Sequence, residues 1–79
     1  MADDITVLGA DWCGDTRRTL RHLDRKGIIY TYVDIEEDEI AEARVIAFSN
    51  GKRRIPLVEV GSKSLAVPSE SELDAALGT

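Results

Sequence analysis

The stretch ITVLGADWCGDT, residues 5–16, contains the strand-to-helix junction on which the fold of this chain depends. Residues 5–8 are mostly apolar or β-branched and precede Gly9, a pattern typical of a buried strand. A helix follows, and Cys13, the single cysteine of the chain, lies where the first backbone N–H groups of that helix are unpaired. Such groups stabilise an anion, and the thiolate is the reactive form of cysteine. The junction therefore favours a reactive thiol.

The remaining sequence predicts an α/β domain with the element order β-α-β-α-β-β-α. A strand, a helix and a second strand form a unit that is normally parallel and right-handed, and Gly61-Ser62 predicts the turn of an antiparallel hairpin. We therefore expect one domain, residues 1–79, with a four-stranded mixed sheet flanked by three helices. The predicted strands are residues 5–8, 28–35, 55–60 and 63–67, and the predicted helices are residues 13 or 14–26, 36–49 and a last helix that begins at a Ser69–Glu72 capping box.

Helical periodicity predicts which face of each helix is buried. In the first helix, Gly27 provides a left-handed stop, and His22 lies opposite Cys13, so we expect a solvated or partly packed His22 and no catalytic Cys–His pair. The predicted apolar faces are Cys13, Thr16, Leu20 and Leu23 in the first helix, Ala41, Val45 and Phe48 in the second, and Leu73, Ala76 and Leu77 in the third.

The composition and net charge of the chain argue against several classes of function. The net charge of −5 over 79 residues argues against general binding to nucleic acid or to an anionic membrane. No apolar run approaches about 20 residues, and the acidic start lacks the pattern of a signal peptide. One cysteine cannot form an internal disulfide, and one cysteine with one histidine does not make a zinc site. We therefore expect a cytoplasmic location, with no metal, nucleic acid or membrane as partner.

Pro56 lies inside a predicted strand, where a proline cannot donate a hydrogen bond to the ladder. Two interpretations stay open at this point. Pro56 either belongs to an edge strand, or it is a cis-proline that faces Cys13 across the end of the sheet and leaves neighbouring backbone groups free to pair with a docked peptide.

Several motifs in the same order resemble glutaredoxins, and the nearest likeness is the mycoredoxin-like group. That group shows a Trp-Cys-Gly-x-Cys site, an Asn-Gly-rich approach to a Thr-Val-Pro turn, and Asn-Pro-Ser before the last helix. The counterparts here are residues 12–16 (WCGDT), residues 50–56 (NGKRRIP) and residues 67–69 (VPS). The resemblance covers nearly the whole chain and implies a thioredoxin/glutaredoxin fold and thiol–disulfide exchange.

The resemblance also implies roles for individual residues. Cys13 would be the nucleophile, and Ile55 would present its backbone to the substrate next to the cis-proline Pro56. Ser69, at the start of the last helix, would help to hold a substrate carboxylate, and Glu70 would meet the amine of the ligand. The remaining candidates are Trp12, whose ring either faces substrate or only packs; Thr16, whose hydroxyl either bonds the thiolate or is structural; and Arg53 or Arg54, which either steer an anionic thiol or are simply solvated.

Three departures from the family pattern affect the mechanism. Thr16 replaces the second cysteine, which leaves only a monothiol route. Ala10 replaces a lysine found in many glutathione-dependent members. Asp15 adds a negative charge that disfavours the thiolate, whereas the helix dipole favours it and Arg17 lies within reach to offset Asp15.

The predicted activity is reduction of mixed disulfides by a monomer with no tightly bound cofactor. Its co-substrate would be a low-molecular-weight thiol, glutathione or mycothiol, and its partners would be oxidised or thiolated proteins. Two alternatives stay open: a dimer that binds an iron–sulfur cluster through Cys13, and a redox-inert adaptor.

Overall fold

In the computed structural model, which describes residues 4–78, the seven elements follow the predicted order. The strands are β1 (Ile5–Gly9), β2 (Thr31–Asp34), β3 (Leu57–Val60) and β4 (Lys63–Ala66), and the helices are α1 (Gly14–Arg25), α2 (Glu39–Phe48) and α3 (Glu70–Leu77). The sheet order is β2-β1-β3-β4. Strand β1 pairs parallel with β2 and antiparallel with β3, and β3 pairs antiparallel with β4. The prediction of a four-stranded mixed sheet is confirmed.

The strand residues alternate between the two faces of the sheet, as expected for a period of two. Val7 and Leu8 are both fully buried but belong to different cores. The α2-side core consists of Leu8, Ala10, Ile35, Ala41, Val45, Ile55 and Leu57. The α1/α3-side core consists of Ile5, Val7, Leu23, Val58, Val60 and Leu73. Helix α2 therefore covers one face, and helices α1 and α3 cover the other.

Strand β2 begins three residues later than the predicted residue 28. Gly27 takes a φ of 68°, as predicted for a left-handed stop. The Gly27 amide then donates to the Asp24 carbonyl, and the Ile28 amide donates to the Leu23 carbonyl, both at 3.0 Å. This pair of bonds is the Schellman arrangement that closes a helix. The Ile28 amide is therefore used by α1, and Ile29 is 92% exposed.

Helix α2 also begins three residues later than predicted, at Glu39. The Asp38 side chain accepts from the amides of Ile40 and Ala41, both at 3.0 Å, which makes Asp38 the N-cap. The prediction that Phe48 completes the buried stripe of this helix is wrong. Ala41 and Val45 are buried as predicted, but Phe48 lies in the last turn and is 47% exposed.

Helix α3 has the predicted capping box, and its buried face is the predicted one. The Ser69 hydroxyl accepts from the Glu72 amide at 3.1 Å, and the Glu72 carboxylate accepts from the Ser69 amide at 2.8 Å. Leu73 is buried, and Ala76 and Leu77 pack against the α1/α3-side core.

His22 is more buried than the expectation of a solvated or partly packed residue allowed, because α3 covers the side of α1 that points away from Cys13. His22 is buried, and its Nε2 lies 2.8 Å from Oδ1 of Asp74. Its Nδ1 lies 3.6 Å from Oε1 of Glu70. Arg25 at the end of α1 and Lys26, its C-cap, extend this seam between α1 and α3 by pairing with Glu70 and Asp74 at 3.6 and 3.3 Å.

Candidate active site

The sheet register brings four loops together at one edge. Gly9 at the end of β1 pairs with Asp34 at the end of β2. Leu57, the first residue of β3, pairs with Leu8 of β1 and with Ala66 at the end of β4. The segments that follow β1, β2 and β4 and the segment that precedes β3 therefore meet at this edge, which we call the active-site edge.

Cys13 occupies the N-cap of α1 at the active-site edge, with extended φ and ψ of −80° and 120°. Its amide donates to the Ala10 carbonyl and its carbonyl accepts from the Arg17 amide, both at 3.0 Å, which fixes the turn into the helix. The Cys13 side chain is partly buried and packs against the α2-side core. Beside it, the space next to Gly14 is open. The thiol thus lies at the boundary between core and solvent.

The backbone amides in the first turn of α1 are available to stabilise a negative charge. No side chain among the described residues caps this helix, so its first amides keep their capacity to stabilise an anion. Asp15 is paired with Arg18, not with the predicted Arg17. Arg18 therefore offsets the carboxylate next to the thiol, in place of Arg17.

The Ile55–Pro56 peptide bond is cis, as the second interpretation of Pro56 predicted. The edge-strand interpretation is wrong, because Pro56 directly precedes β3, and β3 lies between β1 and β4. Ile55 belongs to the α2-side core, against which Cys13 also packs. The Pro56 carbonyl accepts from the Val67 amide at 2.8 Å. The cis-proline segment is thus anchored at the same edge as Cys13.

Trp12 is 61% exposed, yet its ring has a fixed partner. The indole Nε1 donates to Oε1 of Glu36 at 3.0 Å. The other oxygen of the same carboxylate, Oε2, accepts from Nη2 of Arg53 at 3.4 Å, and the Nε of Arg53 donates to Glu42 at 2.9 Å. The hydrogen bonds to Glu42 and then Glu36 raise the pKa of Arg53. We call the Trp12–Glu36–Arg53 link the Glu36 bridge.

A second link holds the loop before Cys13 against β2. The Tyr32 hydroxyl donates to Oδ1 of Asp11 at 2.7 Å. Burial is the main cause that raises the pKa of Tyr32, followed by its hydrogen bond to Asp11, with smaller contributions from the charges of Asp11, Asp34 and Cys13. Tyr32 therefore remains a neutral donor and keeps the Asp11–Cys13 loop in place.

The structure does not support a ligand contact for Thr16. Thr16 is fully buried, and its Oγ1 accepts from the Ala10 amide at 3.5 Å. Its side chain lies so close to Gly9 that a Cβ on residue 9 would collide with it. Of the two interpretations of Thr16, these contacts favour the structural one, a packing role between β1 and α1, over its place among the substrate-binding candidates.

The candidates before and within α3 are also engaged inside the protein. In the capping box the Ser69 amide donates to Glu72 and the Ser69 hydroxyl accepts from the Glu72 amide. A substrate carboxylate would therefore meet the other amides of the first turn, as expected, or the Ser69 O–H, which can still donate. Glu70 does not fit the predicted contact with the amine of a ligand, because its carboxylate pairs with His22 and Arg25 of α1. Of the two candidate arginines, Arg53 is paired, whereas Arg54 is exposed and is not among the ion pairs of residues 4–78.

Sequence reasoning missed Glu36, Asp11 and Tyr32 as neighbours of the site. A signal for Glu36 was present, because the ends of parallel strands β1 and β2 share one edge of the sheet. A polar side chain just after β2 is therefore placed near one just after β1. Among residues 4–78, no cluster of three or more His, Cys, Asp or Glu side chains could hold a metal ion. In the same part of the chain, none of the helices combines the length and apolar character that a bilayer crossing requires.

Comparisons with known proteins agree with the motifs and the fold. The family model for glutaredoxins matches residues 5–65. Mycoredoxin 1 of Corynebacterium glutamicum is 34% identical over 55 residues, which cover 70% of this chain and 67% of that protein. The glutaredoxin of Archaeoglobus fulgidus superimposes with a TM-score of 0.82 at 24% identity, over 98% of this chain and 88% of its own. The glutaredoxin-like NrdH-redoxin of Escherichia coli gives 0.75 at 19% identity, over 91% and 92%.

The two structural matches show the shared fold, and the family match and the identity to a mycoredoxin extend the likeness to the sequence. The positions of Cys13 at the start of α1 and of the cis-proline Pro56 at the same edge agree with that assignment. The chain belongs to the glutaredoxin family of thiol oxidoreductases.

Proposed function

We propose that this chain reduces mixed disulfides between proteins and a low-molecular-weight thiol through Cys13, by a monothiol route. The observation that carries the proposal is the position of its single cysteine. Cys13 caps the helix α1, whose first amides favour the thiolate, at the edge that also holds Pro56.

The proposed cycle has two exchange steps. The Cys13 thiolate attacks the sulfur of the small thiol in the mixed disulfide; that S–S bond breaks, a Cys13–small-thiol disulfide forms, and the protein leaves as a thiolate that takes up a proton. A second small thiol, as its thiolate, then attacks the sulfur of the first. It forms the small-molecule disulfide and regenerates the Cys13 thiolate. In the net reaction one free small thiol is consumed: the electron pair of its thiolate sulfur ends in the small-molecule disulfide, and the pair of the broken mixed disulfide leaves on the protein thiolate.

The residue at position 16 supports the monothiol route. Where a dithiol member has its second cysteine, this chain has Thr16, which is buried against Gly9. An intramolecular disulfide with Cys13 is therefore excluded within this chain. We propose that the protein acts as a monomer in the cytoplasm, with glutathione or mycothiol as co-substrate and thiolated proteins as partners.

Replacement of the sulfur tests the proposal directly. We expect Cys13→Ser to abolish release of the small thiol from a thiolated peptide, because an alcohol is not nucleophilic at neutral pH. The assay is run in two arms, with glutathionylated and with mycothiolated peptide, each with the matching free thiol. Thr16→Ser, which keeps the buried hydroxyl, is the matched control and should retain activity. Full activity of Cys13→Ser would contradict the proposal, as would an inactive wild type in both arms.

Alkylation separates an active thiol from the redox-inert adaptor. At neutral pH, Cys13 of the folded protein should react with iodoacetamide faster than the same cysteine in the urea-unfolded chain, because the helix amides favour the thiolate only when α1 is formed. The pairing of Asp15 with Arg18 offsets one of the two features that favour an inert thiol, the negative charge of Asp15; the other is the absence of a second cysteine. A folded rate no higher than the unfolded rate would support the adaptor instead.

A further inference from the structure

We propose that Glu36 is a positioning residue for thiol exchange, which holds the indole ring of Trp12 in the orientation that a bound disulfide meets next to Cys13. The kinetic part of this inference rests on the proposed function, whereas its structural part does not.

Trp12 has little else to keep its ring in place. The side chain is 61% exposed, so packing restrains it weakly, and an exposed side chain hops between rotamers within picoseconds to nanoseconds. The hydrogen bond from its Nε1 to Oε1 of Glu36, at 3.0 Å, joins residues that are 24 positions apart. This bond fixes the indole N–H at the segment that follows β2.

Both the backbone amide and the carboxylate of Glu36 are hydrogen-bonded to neighbouring residues, so the position of the oxygen that accepts from Trp12 is fixed. Its amide donates to Oδ1 of Asp34 at 2.9 Å, which fixes the backbone just after β2. Its second carboxylate oxygen accepts from Arg53, and Arg53 is also held by Glu42 at 2.9 Å. The bridge therefore connects the residue before the nucleophile to the segment that leads into the cis-proline.

We expect the Glu36 bridge to affect the binding of the mixed disulfide and not the attack of the Cys13 sulfur on it. Trp12 directly precedes Cys13 in the turn into α1, and its indole N–H is bonded to Glu36, two residues after the end of β2. The amides that favour the thiolate belong to α1 and do not depend on Glu36. Loss of Glu36 should therefore weaken the binding of the mixed disulfide and leave the attack by Cys13 unchanged.

Fluorescence tests the structural part, because Trp12 is the only tryptophan of the chain. We expect Glu36→Ala to enlarge the fast component of the time-resolved anisotropy decay of Trp12, since the ring loses its anchor. Glu36→Gln keeps an oxygen that accepts the indole N–H and should stay close to wild type. Glu37→Ala, the same change at an exposed neighbour, is the control and should also match wild type. An unchanged decay in Glu36→Ala would overturn the inference.

Steady-state kinetics with a thiolated peptide test the functional part. We expect Glu36→Ala to raise KM about two- to tenfold, the range of one exposed hydrogen bond, with kcat within about twofold of wild type. Glu36→Gln should restore most of the loss, and Glu37→Ala should have no effect. A changed anisotropy with unchanged KM would overturn the positioning role, and so would a loss confined to kcat. An inactive wild type would contradict the proposed function alone, and the anisotropy would then decide whether Glu36 orients the ring.

Discussion

Val67 takes a left-handed backbone conformation, with a φ of 47°, directly before Pro68. A β-branched residue rarely adopts this region, and a following proline restricts the residue further. The Val67 amide donates to the Pro56 carbonyl at 2.8 Å. The unfavourable conformation thus allows a contact that joins the end of β4 to the cis-proline segment.

We expect Val67→Asn to stabilise the protein by about 1 kcal/mol, because asparagine tolerates the left-handed region that costs other residues about 1–2 kcal/mol. For a domain of this size, the midpoint of thermal unfolding should rise by about 4–8 °C. The mycoredoxin-like motif carries asparagine at the counterpart of this position. Val67→Ala keeps a Cβ and should gain less. A midpoint for Val67→Asn below that of wild type would show that the packing of the valine outweighs its strain.

At the scale of single residues, the sequence predicted those whose role follows from local chemistry. Cys13 and Pro56 could be assigned because a helix start and an X–Pro bond are local features. The role of Thr16 stayed open, and the burial of His22 was misjudged, because the surroundings of both residues come from other elements. Gly9 of β1 packs against Thr16, and α3 buries His22. A helical-wheel projection of α1 shows only the residues of that helix, so it includes neither Gly9 nor α3.

At the scale of elements, helix ends were set by side chains that compete for backbone groups. Two aspartates before α2, Asp34 and Asp38, each accept hydrogen bonds from the backbone amides that follow them. Asp34 accepts from the Glu36 amide at 2.9 Å in a turn, and Asp38 then caps the helix. The sequence predicted the existence and order of all seven elements. It did not predict the start of α2, because both Asp34 and Asp38 are of a residue type that favours the N-cap position.

Asp38→Ala should lower the free energy of unfolding by about 1 kcal/mol, since two amides of α2 lose their acceptor. The measurement is the midpoint of urea unfolding. Asp38→Asn keeps the side-chain oxygen and serves as the matched variant, with a loss of a few tenths of a kcal/mol from the missing charge near the helix start. Equal losses in the two variants would show that the charge, and not the hydrogen bonds, stabilises this end.

At the scale of the whole molecule, the seam between α1 and α3 connects two helices that lie far apart in the sequence. Asp74 of α3 lies 2.8 Å from His22 of α1 and 3.3 Å from Lys26, the C-cap of α1. The hydrogen bond with His22 is the main cause that lowers the pKa of Asp74, and burial opposes it while Lys26 adds to it. The folded state therefore favours the ionised carboxylate more than the unfolded chain does.

This seam predicts a pH-dependent contribution to stability. A lowered folded pKa means that the stabilisation is complete above the ordinary aspartate value of about 3.9 and is lost as the pH falls from there toward the folded value. Asp74→Asn should therefore unfold at lower urea than wild type near neutral pH, and the difference should shrink near pH ~3. Glu37→Gln, at an exposed site away from the seam, should match wild type under both conditions. A difference that grows on acidification would contradict this assignment.

The close packing of Thr16 on Gly9 also limits the order in which this site can change by mutation. A Cβ at residue 9 would overlap Oγ1 and Cγ2 of Thr16, so residue 9 can accept a larger side chain only after residue 16 has become smaller. A mutational path that enlarges residue 9 therefore has to reduce residue 16, seven positions later, beforehand. The glycine at the end of β1 and the size of residue 16 are in this sense inherited together.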